Sequence, residues 1–318
     1  MSRRQRAVVC AYHNVGVRGL AALLSLGIDV ALVLTHEDDA GEQIWFGSVR
    51  ALCEAQGIPF LTPADPNAPE VVARVRACAP DWIFSFYYRR MLKGELLAIP
   101  RRGAYNLHGS LLPRYRGRVP VNWAVLHGER ETGVSLHRME LKPDAGALVD
   151  QQAVAILPND TAHDVFQKVT CAAEVVLLRA VPAMLAGTHA ETPLDLAAGS
   201  YFGGRRPEDG RVDWSQGAWG VHNLIRAVAP PYPGAYTIAD CARIELLGSW
   251  YKGDRARGAA PRLYWDDGRC HADCTDGERL LITRIAVDGR DTDRQGFVAR
   301  FGADSLPLEL TPSGRDTT

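Results

Sequence analysis

The sequence has almost no net charge, since 36 Lys and Arg face 37 Asp and Glu and leave −1 over 318 residues. No global basic field marks a nucleic-acid partner, which weighs against a nucleic-acid substrate. No disulfide framework is legible either. The seven cysteines are scattered over positions 10, 53, 78, 171, 241, 270 and 274, and an odd, scattered set fits a reducing compartment. Cys270-His-Ala-Asp-Cys274 is the one cluster. Without a second ligand pair at zinc-finger spacing it reads as strand and turn, and no metal is expected. The basic start Met1–Arg6 imitates a signal peptide, but no small-residue cleavage site follows, and Cys10–Asn14 and Arg18 interrupt the apolar run. Leu20–Leu34 contains Asp29 and is too short to cross a bilayer. A cytoplasmic protein without membrane insertion is therefore expected. Internal repeats and low-complexity tracts are lacking as well.

What is present is an ordinary globular composition, 47% hydrophobic and 23% charged, at a length that suggests two domains. Short apolar runs at 7–12, 30–35, 58–61, 82–86 and 103–107 alternate with helical patterns at 16–26, 46–56 and 70–79. That alternation predicts a mostly parallel sheet covered by helices on both faces. Gly16-x-x-Gly19 follows the first strand, yet the first glycine of Gly-x-Gly-x-x-Gly is missing, so the pair reads as helix-packing glycines. Segments 134–139 and 147–156 bracket the Asp144 loop and read as two antiparallel strands near the sheet edge, and 161–186 as a long helix capped by Thr161. Gly and Pro accumulate over 188–210, the expected linker. Beyond it a helix at 216–229 precedes short strands at 235–238, 243–250, 261–265 and 279–287, and from Gly302 the chain reads as frayed. The predicted organisation is α/β: a Rossmann-like domain over 1–200, then a linker helix and a small β-rich domain over 201–318.

The chemistry concentrates in Tyr105-Asn-Leu-His-Gly-Ser-Leu-Leu-Pro-Arg-Tyr-Arg-Gly117 and in Pro143-Asp-Ala-Gly146. Asn106 and His108 are two apart, so on a strand they share a face. Gly109 and Pro113 then turn the chain at a strand end, where open α/β sheets hold ligands. An amide can hold an oxyanion, an imidazole can move protons, and a carboxylate from Asp144 would favour the imidazolium form. This combination suits acyl transfer without a covalent nucleophile.

Asn-x-His-Gly-Ser-Leu-Leu-Pro with a downstream Asp-x-Gly resembles the 10-formyltetrahydrofolate-dependent formyltransferases. Phe84–Arg89, Arg116–Trp123, Glu131–Met139, Phe202–Asp209, His222–Ala229 and Pro233–Tyr236 extend the likeness to the formyltransferase domain of the bifunctional lipid A modification enzyme. The resemblance runs over roughly 7–300. It implies catalytic roles for Asn106, His108 and Asp144 and an OB-like second domain. It also implies a folate cleft bracketed by Arg90-Met91-Leu92 and Glu140-Leu141-Lys142-Pro143-Asp144, with Arg118 at a folate-contacting position. Lys142-Pro143 replaces the Arg-Ala type of pair expected in the lipid A enzyme, so contacts there would be borne by backbone.

The implied reaction takes the formyl group of 10-formyltetrahydrofolate, without a metal, to the 4-amino group of a nucleotide-linked amino sugar, UDP-4-amino-4-deoxy-L-arabinose first. Arg205, Arg206, Arg226 and Tyr232 are candidates for the nucleotide, and Arg116, Asn122 and Trp123 for the sugar. Tyr12, His13, His137 and Arg138 read as packing or strand residues. The lipid A enzyme carries a further decarboxylase domain, so a free-standing formyltransferase is expected here, with any decarboxylase on another chain; a homo-oligomer is left open. The alternatives are a dTDP- or GDP-linked amino sugar, and methionyl-tRNA. Against the last, Arg118-Val-Pro-Val-Asn-Trp123 stands where tRNA enzymes typically carry Gly-Ala-Ala-Pro-Ile-Gln.

Overall fold

The computed structural model describes residues 4–38 and 44–310, which form two compact units. The first takes residues 1–120, 131–154 and 166–203, and the second takes 121–130, 155–165 and 204–318. In chain order the elements begin with β1 (Arg6–Ala11), α1 (His13–Ser25), β2 (Asp29–Leu34), α2 (Val49–Gln56), β3 (Phe60–Leu61), α3 (Pro69–Ala77), β4 (Trp82–Phe86), α4 (Gly94–Leu97), β5 (Gly103–His108) and β6 (Arg116–Gly117). After α5 (Pro120–Leu126) come β7 (Glu131–Arg138), β8 (Leu148–Ala155), α6 (Ala162–Ala186) and β9 (Tyr201–Phe202).

The first unit is built on a sheet of order β3-β2-β1-β4-β5-β7-β8. The pairs from β3 through β5 are parallel, and β7 runs antiparallel to β5. Strands made of continuous apolar runs are what a sheet covered on both sides requires, and every residue of β4 is buried. On one face Val8, Cys10, Leu32, Leu34, Ile83 and Ala104 pack with Val71, Val72 and Val75 of α3 and Leu96 of α4. On α1, a side chain at Gly19 would press into the Phe86 ring, its Cβ 2.6 Å from Cδ2. Gly19 thus lets helix and strand approach closely, a packing role. α2 starts at Val49 rather than near Phe46 because the Ser48 hydroxyl accepts from the Ala51 amide and caps it. Among the described residues α6 has the length and hydropathy of a membrane-crossing helix, with half of its most apolar stretch buried.

The second unit continues with α7 (Ala218–Val228), β10 (Ala235–Ala239), β11 (Ala242–Arg255), β12 (Arg262–Asp266), β13 (Arg269–Asp273), β14 (Glu278–Val287), β15 (Arg290–Asp291), α8 (Arg294–Phe301) and β16 (Ser305–Pro307). Its sheet, of order β10-β11-β14-β13-β12-β16, is antiparallel throughout. α7 buries Ala218, Val221, His222 and Ile225, the i, i+3, i+4, i+7 stripe of an amphipathic helix, and packs on β11. One expectation changes. Residues 305–307 pair with β12 instead of fraying, while 311–318 lie outside the described residues, as do Met1–Arg3 of the basic start. Cys270–Asp273 is strand β13, and its Cys270 thiol, like that of Cys274 just beyond, is pushed up to about 12 by burial. All seven cysteines are free, and no metal-holding cluster of His, Cys, Asp and Glu occurs among the described residues.

Candidate active site

The β5–β7 register sets the site. Asn106 lies opposite His137, and His108 opposite Ser135. Beyond His108 the chain turns through residues 109–113, and Ser135 holds that turn: its hydroxyl donates to the Ser110 carbonyl at 2.6 Å and accepts from the Leu112 amide at 3.0 Å. Gln151 of β8 adds a donor to both Ser135 Oγ and the Leu112 carbonyl, each at 2.8 Å. A fully bonded, buried hydroxyl fixes a loop that would otherwise bury orphan backbone groups.

Past the turn, Tyr115 has a left-handed backbone, φ 56°. Its ring stacks on Phe202, its amide donates to Ser200 Oγ, and its carbonyl accepts from His108 Nε2 at 2.8 Å. A carbonyl only accepts, so His108 Nε2 carries hydrogen and Nδ1 is the nitrogen left for exchange. Nδ1 lies 3.5 Å from Asp144 Oδ1.

Asp144 reaches this point from the 139–147 loop with φ 51°, a conformation that Asp tolerates better than most residues. Its Oδ2 accepts from the Gly117 amide at 2.9 Å. Gly146 passes against the Arg138 carbonyl so closely that any side chain there would collide with it, which explains the glycine of Asp-x-Gly. Asn106, His108 and Asp144 thus come together, each positioned by a different segment.

A fourth residue joins them. His137 is buried, donates Nδ1–H to the Arg138 carbonyl at 2.8 Å, and faces Asn106 Nδ2 with Nε2 at 3.2 Å. Its Nε2 stands 3.6 Å from Asp144 Oδ1. Burial pushes its pKa down to about 4, so the ring is neutral near pH 7. His137, read from the sequence as a packing or strand residue, is a buried residue of β7 whose ring also faces Asn106 and Asp144. The signal that could have found it is its place on the strand read over 134–139, just before the Asp144 loop. On the other face, Arg138 makes a bidentate pair with Glu191 at 2.6 and 2.7 Å and also bonds Tyr105 Oη. The Arg138 hydrogen bonds lead the forces that hold Glu191 down to about 2.

Leu141 of the second predicted folate loop approaches the start of α4, just past the first, its Cδ2 3.2 Å from the point where a Gly94 side chain would begin. Met91 and Leu141 are exposed apolar side chains, whereas Leu92 is buried in the core. Asn67 fixes the first loop, donating to the Met91 carbonyl and accepting from the Lys93 amide. Arg90, Arg118, Glu140 and Lys142 are exposed, and Pro143 is half-buried. A nearby strand end carries His36, which the sequence did not single out: it stacks on Tyr88 and accepts from the Arg89 amide, and Arg89 lies over the Tyr12 ring.

The residues assigned to the sugar nucleotide divide between the units. Arg116, on β6 of the first unit, is buried, and its Nε has no hydrogen-bond partner. In the second unit Arg205 lies over the Trp123 ring, 4.8 Å from its centroid, and Arg206 is exposed. Asn122 donates to the Ala227 carbonyl and also hydrogen-bonds Tyr232. Arg226 is buried, bonding Asn223 Oδ1 and the carbonyls of Leu157, Asp160 and Val125. Asn122 and Arg226 thus use polar groups to tie segments of the second unit together, a structural task that residue type alone did not reveal.

Comparison with known proteins matches residues 17–181 to the family described as formyl transferase and residues 205–298 to the formyl transferase C-terminal domain. The fold is similar to that of an N-formyltransferase from Helicobacter canadensis solved in complex with folinic acid and dTDP-3-aminofucose, at 19% identity and TM-score 0.70 over 88% of this chain and 99% of that one. WlaRD, a sugar 3N-formyl transferase solved in the presence of dTDP and 5-N-formyl-THF, is similar at 19% identity and TM-score 0.70 over 88% and 97%. A sugar N-formyltransferase from a Shewanella species matches at 16% identity and TM-score 0.62 over 78% and 99%. At these identities the shared structure establishes the fold.

Proposed function

The chain belongs to the formyl transferase family, and on that premise we propose that it formylates the 4-amino group of a nucleotide-linked amino sugar, UDP-4-amino-4-deoxy-L-arabinose first among them. The formyl group comes from 10-formyltetrahydrofolate. The observation that carries the reading is the convergence of Asn106 Nδ2, His108 Nδ1 and Asp144 Oδ1 at one strand end.

The roles follow from which hydrogens are free. Asn106 spends one Nδ2 hydrogen on His137 and keeps the other for the formyl oxygen as it gains charge. His108 exchanges protons through Nδ1, taking one from the attacking amine and returning one to the departing folate nitrogen, so that one C–N bond forms as another breaks. Asp144 Oδ1 stands where an imidazolium formed at Nδ1 meets an opposite charge. The apolar Met91 and Leu141, with Arg90, Arg118 and the backbone of Leu92 and 140–144, suit a flat pterin with an acidic tail. Arg116, buried in the first unit with its Nε lacking a hydrogen-bond partner, suits a phosphate oxygen of a sugar nucleotide. The dTDP-3-aminofucose bound in the similar Helicobacter canadensis structure supports an amino-sugar nucleotide as the amine.

The test is His108→Ala and Asn106→Ala with saturating substrates. Each variant should lose roughly 10²–10³ in kcat while folate binding is retained. Turnover near the wild-type rate in either variant would remove the residue from the mechanism.

A further inference from the structure

The register that pairs Asn106 with His137 settles a choice that an amide cannot make for itself. Turned by 180° about its last bond, Asn106 would present Oδ1 where Nδ2 now stands, and a carbonyl oxygen repels a developing oxyanion. The partner decides the orientation. His137 Nδ1 sits 2.8 Å from the Arg138 carbonyl, which accepts only, so Nδ1 holds the hydrogen of the neutral ring. Nε2 is then a bare lone pair 3.2 Å from the Asn106 amide. That position accepts Nδ2–H and disfavours Oδ1. We infer that His137 is a positioning residue, which holds the Asn106 amide with one Nδ2 hydrogen free for the reacting carbonyl.

The surroundings keep His137 in that form. Burial is the main influence against its charging, the nearby His108 acts the same way, and Asp144 and the bond to the Arg138 carbonyl oppose them. A charged His137 would carry hydrogen on Nε2 and confront the Asn106 amide with a second donor. With Nε2 of His137 occupied by Asn106, any proton shared with Asp144 Oδ1 falls to His108 Nδ1. The neutral ring therefore serves both halves of the site, orienting the amide and leaving proton transfer to one histidine.

The kinetic part of this inference rests on the formyl-transfer reading, so the test includes a measurement that does not. Side-chain 15N NMR on the wild-type protein should show His137 as the neutral Nδ1–H tautomer from about pH 5.5 to 8.5. A charged ring or an Nε2–H tautomer in that range would overturn the inference whether or not the enzyme formylates a sugar. In turnover, His137→Leu, which lacks an acceptor, should lower kcat roughly 10- to 100-fold, with KM for both substrates within about twofold. His137→Gln, whose amide oxygen can take over the Asn106 hydrogen, should recover most of that loss. In an Asn106→Ala background the Leu substitution should add almost nothing, because both changes remove the same oriented donor. Equal losses for Gln and Leu, or a full additional loss in the Asn106→Ala background, would show that His137 does not act through Asn106. Failure of the wild-type enzyme to formylate any amine would remove the functional reading and leave the NMR result to decide the placement of His137.

Discussion

At Asp144 the two carboxylate oxygens face different partners: Oδ2 accepts from the Gly117 amide, and Oδ1 lies between His108 and His137. Substitution by Asn separates loop shaping from charge, since an amide oxygen can still accept from Gly117. Asp144→Asn should therefore shift Tm by less than about 2 °C while lowering kcat by roughly 10²-fold or more. Thermal melts and steady-state rates check both halves, and an unchanged kcat would reduce Asp144 to a loop residue. At this scale the sequence was legible where chemistry sits in side chains close along the chain, as with Asn106 and His108. Tyr115 escaped because it acts through its backbone carbonyl. His137 escaped because its task arises from cross-strand register, and a period-two pattern names the face of a strand without naming the residue opposite.

Among the elements, β5, β7 and the segment after α6 are joined by Tyr105, Arg138 and Glu191. The carboxyl of Glu191 drops from an ordinary 4.5 to about 2, chiefly through the Arg138 hydrogen bonds. A depressed carboxylate contributes stability that is complete above its unfolded value and lost as pH falls from about 4.5 toward 2. Glu191→Gln should accordingly be less stable than the wild type at pH 6, with the gap narrowing as pH falls through that window. Denaturant melts at several pH values measure the gap, and a gap independent of pH would contradict the assignment. Periodicity served well for the buried parallel strands, whose apolar runs are unbroken. It missed the two-residue strands β6 and β9, which are too short to show a period. It also missed α8, where Phe297 is the single buried residue and no apolar stripe exists to read, although the Asp293 side chain caps its first turn. The α5 segment was read for substrate contacts, which hid a helix beginning at Pro120, a residue well suited to a first turn.

On the scale of the molecule, residues 121–130 and 155–165 belong with the second unit although they interrupt the first in sequence. No change of composition marks these excursions, because long-range packing rather than local preference assigns a segment to a unit. Substrate choice is also a property of the whole chain. With a net charge of −1, it lacks the general basic field that a protein neutralising many phosphates uses. The most direct measurement is product analysis by mass after 10-formyltetrahydrofolate is supplied with UDP-4-amino-4-deoxy-L-arabinose, a dTDP-linked amino sugar or initiator methionyl-tRNA. The account predicts one formyl group gained by the UDP-linked sugar and none by the tRNA. Formylation of the dTDP-linked sugar alone would keep the chemistry and correct the nucleotide, whereas efficient formylation of the tRNA with neither sugar modified would contradict the account.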